Sequence, residues 1–169
     1  DREAYGELVR KYWQTAVAVA LSRVGNMTEA EEAAQEGFVA AYQNLSTLRD
    51  SGRFAAWLAK IVRQKSVDRA RARLREKRRF VSVDTVELEY TPSGNPGLAP
   101  GELSRTREAV MELPEKLRRV VLLRYVAGLS GAEIAETLEI RPGTARVWLH
   151  RAYGKLRKKL SAVIEEAGR

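Results

Sequence analysis

The sequence predicts an all-α protein built as two small helical domains joined by a flexible linker. Three observations predict it. Apolar residues recur at three- and four-residue spacing through most of the chain. Capping residues, prolines and glycines cut that pattern into helix-sized pieces. One stretch, Phe80 to Gly101, loses the pattern and fills with proline, glycine and acids. The expected division is a first module over residues 1–79, a linker over 80–101 and a second module over 102–169.

Composition narrows the function classes. A chain of 169 residues makes one ordinary domain or two small ones. Its formal net charge of +8 points to polyanionic partners, nucleic acid first and anionic membrane second. With no cysteine there is no disulfide framework and no thiolate metal site. A single histidine, His150, cannot hold zinc alone, so no metal or cofactor is expected. No apolar run approaches the roughly 20 residues that span a bilayer, and no secretory signal is visible. An intracellular, cytoplasmic protein without membrane insertion is the expectation. There is no glycine-rich phosphate loop, no histidine pair and no serine in a nucleophile setting, so an enzyme is not expected.

In the first module, residues 3 to about 24 read as a helix whose stripe of Tyr5, Leu8, Val9, Tyr12, Ala16, Val19 and Ala20 faces a core, closed by Gly25-Asn26. Thr28 with Glu31 reads as a capping box opening a second helix that runs to Leu45. Ala30, Ala34, Phe38, Ala41, Tyr42 and Leu45 point inward. The first turns of this helix carry Glu29, Glu31, Glu32, Gln35 and Glu36. Acids near a helix N-terminus are favoured by the dipole, which is one explanation. Glu32, Gln35 and Glu36 also share one face, and an acidic face in so basic a chain suits protein docking; periodicity does not choose between the two. Asn44 to Gly52 reads as a loop centred on Leu48 and Arg49. A third helix follows from about Arg53 to Arg79, with Phe54, Trp57, Leu58, Ile61 and Val62 packed in its first half. It then carries Lys60, Arg63, Lys65, Arg69, Arg71, Arg73, Arg75, Lys77, Arg78 and Arg79, interrupted only by Asp68 and Glu76. Cations at this density repel along a helix, so a phosphate backbone is the expected counter-surface, with Gln64 placed to bond a base.

The linker opens with a brief alternation of Val81, Val83 and Val86, then carries Pro92, Gly94, Pro96, Gly97, Pro100 and Gly101. It is acidic and uncapped, either a plain tether or a segment for a partner's basic channel.

The second module starts with a helix from Glu102 to Met111, broken at Leu113-Pro114. The next helix, with Val120, Val121, Leu122 and Leu123, stops at Gly128. Ser130 with Glu133 is a capping box, and Ile134, Ala135 and Leu138 form the buried face of the short helix it opens. Arg141-Pro142-Gly143-Thr144 restarts the chain, with Pro142 suited to the first helical position. The last helix reaches about Leu160. It buries Ala145, Leu149, Ala152 and Leu156 and presents Arg146, Val147, His150, Arg151 and Arg157 on the other side. This is the pattern of a helix-turn-helix, which lays its second helix in the DNA major groove. Arg146 and Arg151 supply forked donors for guanine, and Thr144 with the free N–H groups near Gly143 can hold a phosphate. The alternative is a basic helical hairpin with a solvated face; the capping box, short turn and Pro-Gly-Thr restart together favour DNA.

With these residues in place the chain resembles, over nearly its whole length, a bacterial RNA polymerase sigma factor of the extracytoplasmic-function class. EEAAQEGFVAAYQNL resembles the region 2 helix that grips the clamp helices of the polymerase β′ subunit. FAAWLAKIVRQKSVDRAR resembles the adjoining helix that meets the promoter minus-ten element. ELPEKLRRVVLLRYVAGLSGAEIAETLEIRPGTARVWLHRAYGKLRKKL resembles region 4. The resemblance implies that Glu32, Gln35 and Glu36 dock on β′, with Phe38 in the core. It implies that Leu48 and Arg49 receive a base flipped out of the minus-ten element, beside Lys60, Arg63 and Gln64, the last standing where the family usually has Asn. It implies that Arg124, Thr144, Arg146, Val147, His150 and Arg151 meet the minus-thirty-five element, and that Val147, His150 and Tyr153 imply a distinct promoter sequence. Implied partners are core RNA polymerase, through β′ and the β flap, promoter DNA and an anti-sigma factor. An isolated chain is then expected to bind promoter DNA weakly, since two tethered modules combine their affinities only when both engage. The alternative readings are a stand-alone helix-turn-helix regulator, which needs no acidic docking face, and an RNA-binding basic protein.

Overall fold

A computed structural model describes the backbone of residues 1–79 and 100–167, and side chains within 1–76 and 105–162. Seven helices follow in order: α1 (Arg2–Val24), α2 (Met27–Gln43), α3 (Phe54–Arg79), α4 (Pro100–Met111), α5 (Glu115–Tyr125), α6 (Gly131–Leu138) and α7 (Pro142–Ala167). There is no strand among the described residues. The expected linker lies, over 80–99, outside them.

Most start and stop signals do what their chemistry dictates. Asp1 caps α1 by accepting from Glu3 N–H at 3.0 Å, and Gly25 ends it at φ 75°. Ser130 and Glu133 form both halves of the capping box of α6, at 3.2 and 2.7 Å. Gly128 sits at φ 67°, and Leu129 N–H reaches back to Leu123 C=O at 3.1 Å, closing the end of α5. Pro142 begins α7, where its missing N–H leaves nothing unpaired.

Four expectations need correction. The cap of α2 is Asn26, whose side chain accepts from Glu29 N–H at 3.2 Å, and not Thr28. Two cap-competent residues lie two apart, and the chain uses the one that meets the turn after Gly25. Tyr42 is half exposed instead of inward, with its ring against Tyr5 at 4.8 Å. The chain leaves α2 at Gln43 and makes short 3-10 turns at Leu45–Thr47 and Ser51–Arg53, so the expected loop is partly ordered by local bonds. The helix α7 continues to Ala167, beyond the expected end.

The single stripe expected on α1 understates its burial. Every residue from Thr15 to Ala20 is buried, because α1 is covered by α2 and α3 on one side and by α5 on the other. A helix apolar all round is a central helix. Its small residues let the neighbours come close. The same holds at Gly37 of α2, where an added Cβ would stand 2.5 Å from Val62 Cγ2 and 3.3 Å from the Val62 Cα of α3. Trp13 stacks on Phe38 at 6.1 Å, and Phe54, Leu58 and Val62 complete this core. The buried hydroxyls of Ser22 and Ser66 return to their own helices, donating to Val19 C=O at 2.6 Å and Val62 C=O at 2.8 Å.

The second module folds on α5, with Ile134 and Ala135 of α6 and Ala145 and Ala152 of α7 facing it. The two modules are packed together. One apolar cluster runs from Ala16–Ala20 through Leu58 and Val62 to Val120, Leu123, Ile134 and Ala145. The helix α1 meets α5, and α3 meets α6.

Candidate DNA and polymerase interfaces

The recognition helix is placed as its sequence pattern requires. Ala145 and Ala152 are fully buried, so the helical repeat turns Arg146, Val147, His150 and Arg151 to solvent together. Val147 is 46% exposed, an apolar side chain in a basic surround, suited to a thymine methyl. Among the described residues none of Arg146, His150 and Arg151 makes an ion pair or hydrogen bond. Thr144 stands in the first turn of α7, half-buried. Arg124 is placed differently from the rest. Its guanidinium donates to Leu129 C=O at 2.9 Å and so braces the turn between α5 and α6. Beside it Tyr125 and Tyr153 pack edge to face at 6.3 Å, and burial, then Tyr125, push the Tyr153 hydroxyl up.

The acidic face of α2 is also assembled, with a feature the sequence pattern does not show. Glu32 and Glu36 both accept from Arg69 of α3, at 2.6 and 3.0 Å, and Glu29 accepts from Arg73 at 3.0 Å. Part of the basic run of α3 is therefore spent on α2. Gln35 is exposed beside the pair and lines a shallow apolar groove of Tyr5, Val9, Trp13, Phe38 and Tyr42.

The third surface surrounds Leu48 and Arg49. Asp50 caps the second 3-10 turn by accepting from Gly52 N–H at 2.9 Å, which fixes the loop against α3. A depression of about 250 Å³ forms there, lined by Thr47, Leu48, Arg49 and Asp50 from the loop and by Arg53, Trp57 and Lys60 from α3. The last member of the lining, Glu139, comes from the second module. Its carboxylate contacts both Arg53 and Lys60. The Lys60 bond first, then the Lys60 and Arg53 charges, hold this carboxyl below the usual range. One turn further along α3, Arg63 pairs with Glu115 of α5 at 3.3 Å, while Gln64 donates to Asp68 at 3.0 Å. Glu115 also receives Arg23 of α1 at 2.9 Å and Arg119 at 3.6 Å. Burial raises its carboxyl, but Arg63, Arg119 and Arg23 together outweigh that and lower it. Arg107 donates to Gly25 C=O at 2.9 Å, a further tie between the modules.

The residues expected to meet DNA thus fall on two surfaces, one on α7 and one at the loop and start of α3. The expected polymerase contact is a third, on α2. The sequence reading missed Glu115 and Glu139, which hold the cations of the second surface; neither carries a local signal, because their partners are about 50 to 90 positions away.

These features define a helix-turn-helix DNA reader packed on a second helical module. Residues 8–76 match the sigma-70 region 2 family, and residues 103–156 match sigma-70 region 4. The chain is 32% identical to the ECF RNA polymerase sigma factor SigW of Bacillus subtilis, over 95% of this chain and 90% of that protein. Among solved structures, CnrH in complex with the cytosolic domain of CnrY is similar at 27% identity and a TM-score of 0.64, covering 96% of this chain and 90% of that one. The sigma factor RpoE of Bartonella quintana, in complex with the anti-sigma factor NepR, shares the fold at 21% identity and a TM-score of 0.66, covering 95% and 98%. The chain belongs to the ECF RNA polymerase sigma factors. Its function is that of an alternative sigma factor, which joins core RNA polymerase and directs initiation at particular promoters. No helix among the described residues is long and apolar enough to cross a membrane.

Proposed function

We propose that the chain divides this function among its three surfaces. Residues 1–79 form the module that joins polymerase and the minus-ten element, 80–99 the tether, and 100–169 the module that reads the minus-thirty-five element, the expected boundary at 101 moving back because α4 begins at Pro100. The shared exposure of Arg146, Val147, His150 and Arg151, opposite fully buried Ala145 and Ala152, carries the reading: it is the geometry of a helix that enters the major groove. The Thr144 hydroxyl and the Gly143 N–H, in the first turn of α7, hold a phosphate there, and Arg124 braces the turn between α5 and α6.

Glu32, Gln35 and Glu36 dock on the β′ clamp helices. Arg69 does not prevent this. The carboxylates of Glu32 and Glu36 are half exposed, and exposed pairs are worth about 0–1 kcal/mol, so a polymerase cation can replace Arg69. The depression at Leu48 and Arg49 takes a base from the minus-ten element, with Lys60, Arg63 and Gln64 beside its backbone. The protein acts in the cytoplasm, where the polymerase is, and does no chemistry of its own. An anti-sigma factor is its regulator, a reading in keeping with the complex of RpoE with the anti-sigma factor NepR.

The test is run-off transcription with purified core polymerase, followed by sequencing of the starts. The double variant E32K/E36K puts two cations where two anions dock, and like charges across an interface cost several kcal/mol. It is expected to lose co-migration with core polymerase at low salt and to lose run-off product. Retention of both at the parent's level would remove α2 from the polymerase interface.

A further inference from the structure

We propose that the second module latches onto the first: Glu139, at the end of α6, clamps Arg53 and Lys60 on the rim of the depression at Leu48 and Arg49, so that the isolated chain turns away the DNA strand that would place a base there until α6 leaves α3. The proposal rests on the minus-ten reading of that depression and adds a control to it.

Three observations carry the latch. Glu139 belongs to the reading module yet lines the depression of the other one, with one carboxylate oxygen on each rim cation. An anion at that mouth neutralises the two charges a phosphate backbone would use and repels the backbone itself.

The second is the backbone. Glu139 ends α6 at φ 53° and ψ 43°, the left-handed conformation that a Cβ disfavours. The other two described residues with φ in this region, Gly25 and Gly128, are glycines. A glycine or asparagine would suit the end of α6 better and would have no carboxylate to offer. The position thus accepts backbone strain together with a charge that lands on the other module.

The third is a parallel contact further along α3. Glu115 of α5 receives Arg23 of α1 and Arg63 of α3, so a third cation of the minus-ten surface is also held by the reading module. Both anchors set α5 and α6 against α1 and α3 in the same closed position. The Glu139 contacts remain easy to open, since Arg53 and Lys60 keep 63% and 68% of their side-chain surface exposed. A polymerase that holds the two modules at separate sites has to overcome the apolar contact of α1 with α5 as well as these surface pairs.

The chain has no cysteine, so E7C and K158C place one dye on α1 and one on α7 of the full chain. Energy transfer between the dyes reports closure. E139N removes the charge and fits the left-handed backbone, so the fold is kept. E136Q removes one charge from the same helix outside the depression and serves as control. E139N is expected to lower the transfer and to bind a single-stranded DNA oligonucleotide of randomised sequence on the order of fivefold more tightly than the parent, since closure reduces affinity by the fraction of open chain. E136Q is expected to do neither. Transfer unchanged in E139N overturns the latch. Lower transfer with a gain in binding no greater than that of E136Q overturns the block. L48A in the E139N background separates the two ideas: if it binds the oligonucleotide as E139N does, the depression is not the base site and the proposal falls with that reading, whereas the change in transfer still establishes the contact.

Discussion

The two surfaces expected to meet DNA are in opposite states. On α7 the reading residues Arg146, Val147, His150 and Arg151 are exposed and, among the described residues, free of ion pairs. At the start of α3 each polar candidate is engaged: Lys60 by Glu139, Arg63 by Glu115 and Gln64 by Asp68. The difference teaches where control is exerted. On the proposed site assignments, groove reading by α7 needs no change in the protein, whereas the proposed latch makes capture of a base beside α3 depend on separation of the modules. The weak DNA binding expected of the isolated chain would then have a cause beyond simple loss of bivalency: one of the two sites is engaged by the other's module.

The largest expected effect breaks the open half of the comparison. Arg146→Ala removes a forked donor from the exposed face, and one good bidentate contact to a base is worth about 1–3 kcal/mol of discrimination. Promoter selection by the polymerase complex, measured on a library varied over the minus-thirty-five element, is expected to relax at one position. Energy transfer within the isolated chain is expected to stay as it is, because Arg146 has no partner in the other module among the described residues. Relaxation at no position would take Arg146 off the base edges.

A smaller effect sharpens the engaged half. Lys60→Ala removes a backbone cation and, at the same time, one of the two ligands of Glu139. In the polymerase complex, where the latch proposal has the modules apart, it is expected to weaken binding to all sequences alike and to lower the salt slope by about 1. In the isolated chain the lost cation and the loosened latch oppose each other, so the net change in DNA affinity is expected to be smaller. Equal losses in the two settings would mean that the Lys60–Glu139 contact closes nothing.

The uneven legibility of the sequence has the same origin as the uneven state of the two surfaces. The α5–α6–α7 unit is legible because its signals are local: Gly128, the Ser130–Glu133 box and Pro142 each act within four residues. The face of α7 follows from periodicity alone. Local signals mislead only where two compete, as Asn26 and Thr28 do. The packing of α1 was half legible. Its apolar repeat predicts one buried stripe, but nothing within 24 residues shows that α5 covers the other side. Gly37 reads as one small residue among several until Val62 is found against it. The basic run of α3 reads as one phosphate-facing surface, yet Arg69 and Arg73 serve α2 while Lys60 and Arg63 face the second module. Charge pairing between helices distant in sequence has no period and no spacing, so it is absent from any reading of one segment at a time.

The smallest expected effect is a dependence of closure on pH, and it separates carboxylate pairing from apolar packing as its source. The carboxyls of Glu139 and Glu115 both lie below their ordinary value in the closed form, Glu139 facing Lys60 and Arg53, and Glu115 facing Arg63, Arg119 and Arg23. On opening, each returns toward the ordinary value. Closed chain therefore binds fewer protons than open chain, and acid favours opening. The contribution to closure is fully present above the ordinary carboxylate value and is lost over the window below it, as pH falls through the lowered values of the closed form. Energy transfer is expected to hold steady from neutral pH down to that window and then to drop, while helical circular dichroism persists at the onset. The E139N chain lacks one of the two titrating groups, so its remaining transfer is expected to fall less steeply. If parent and E139N lose transfer along the same curve, the Glu139 carboxylate does not hold the modules together, and the apolar contact of α1 with α5 accounts for the closed form.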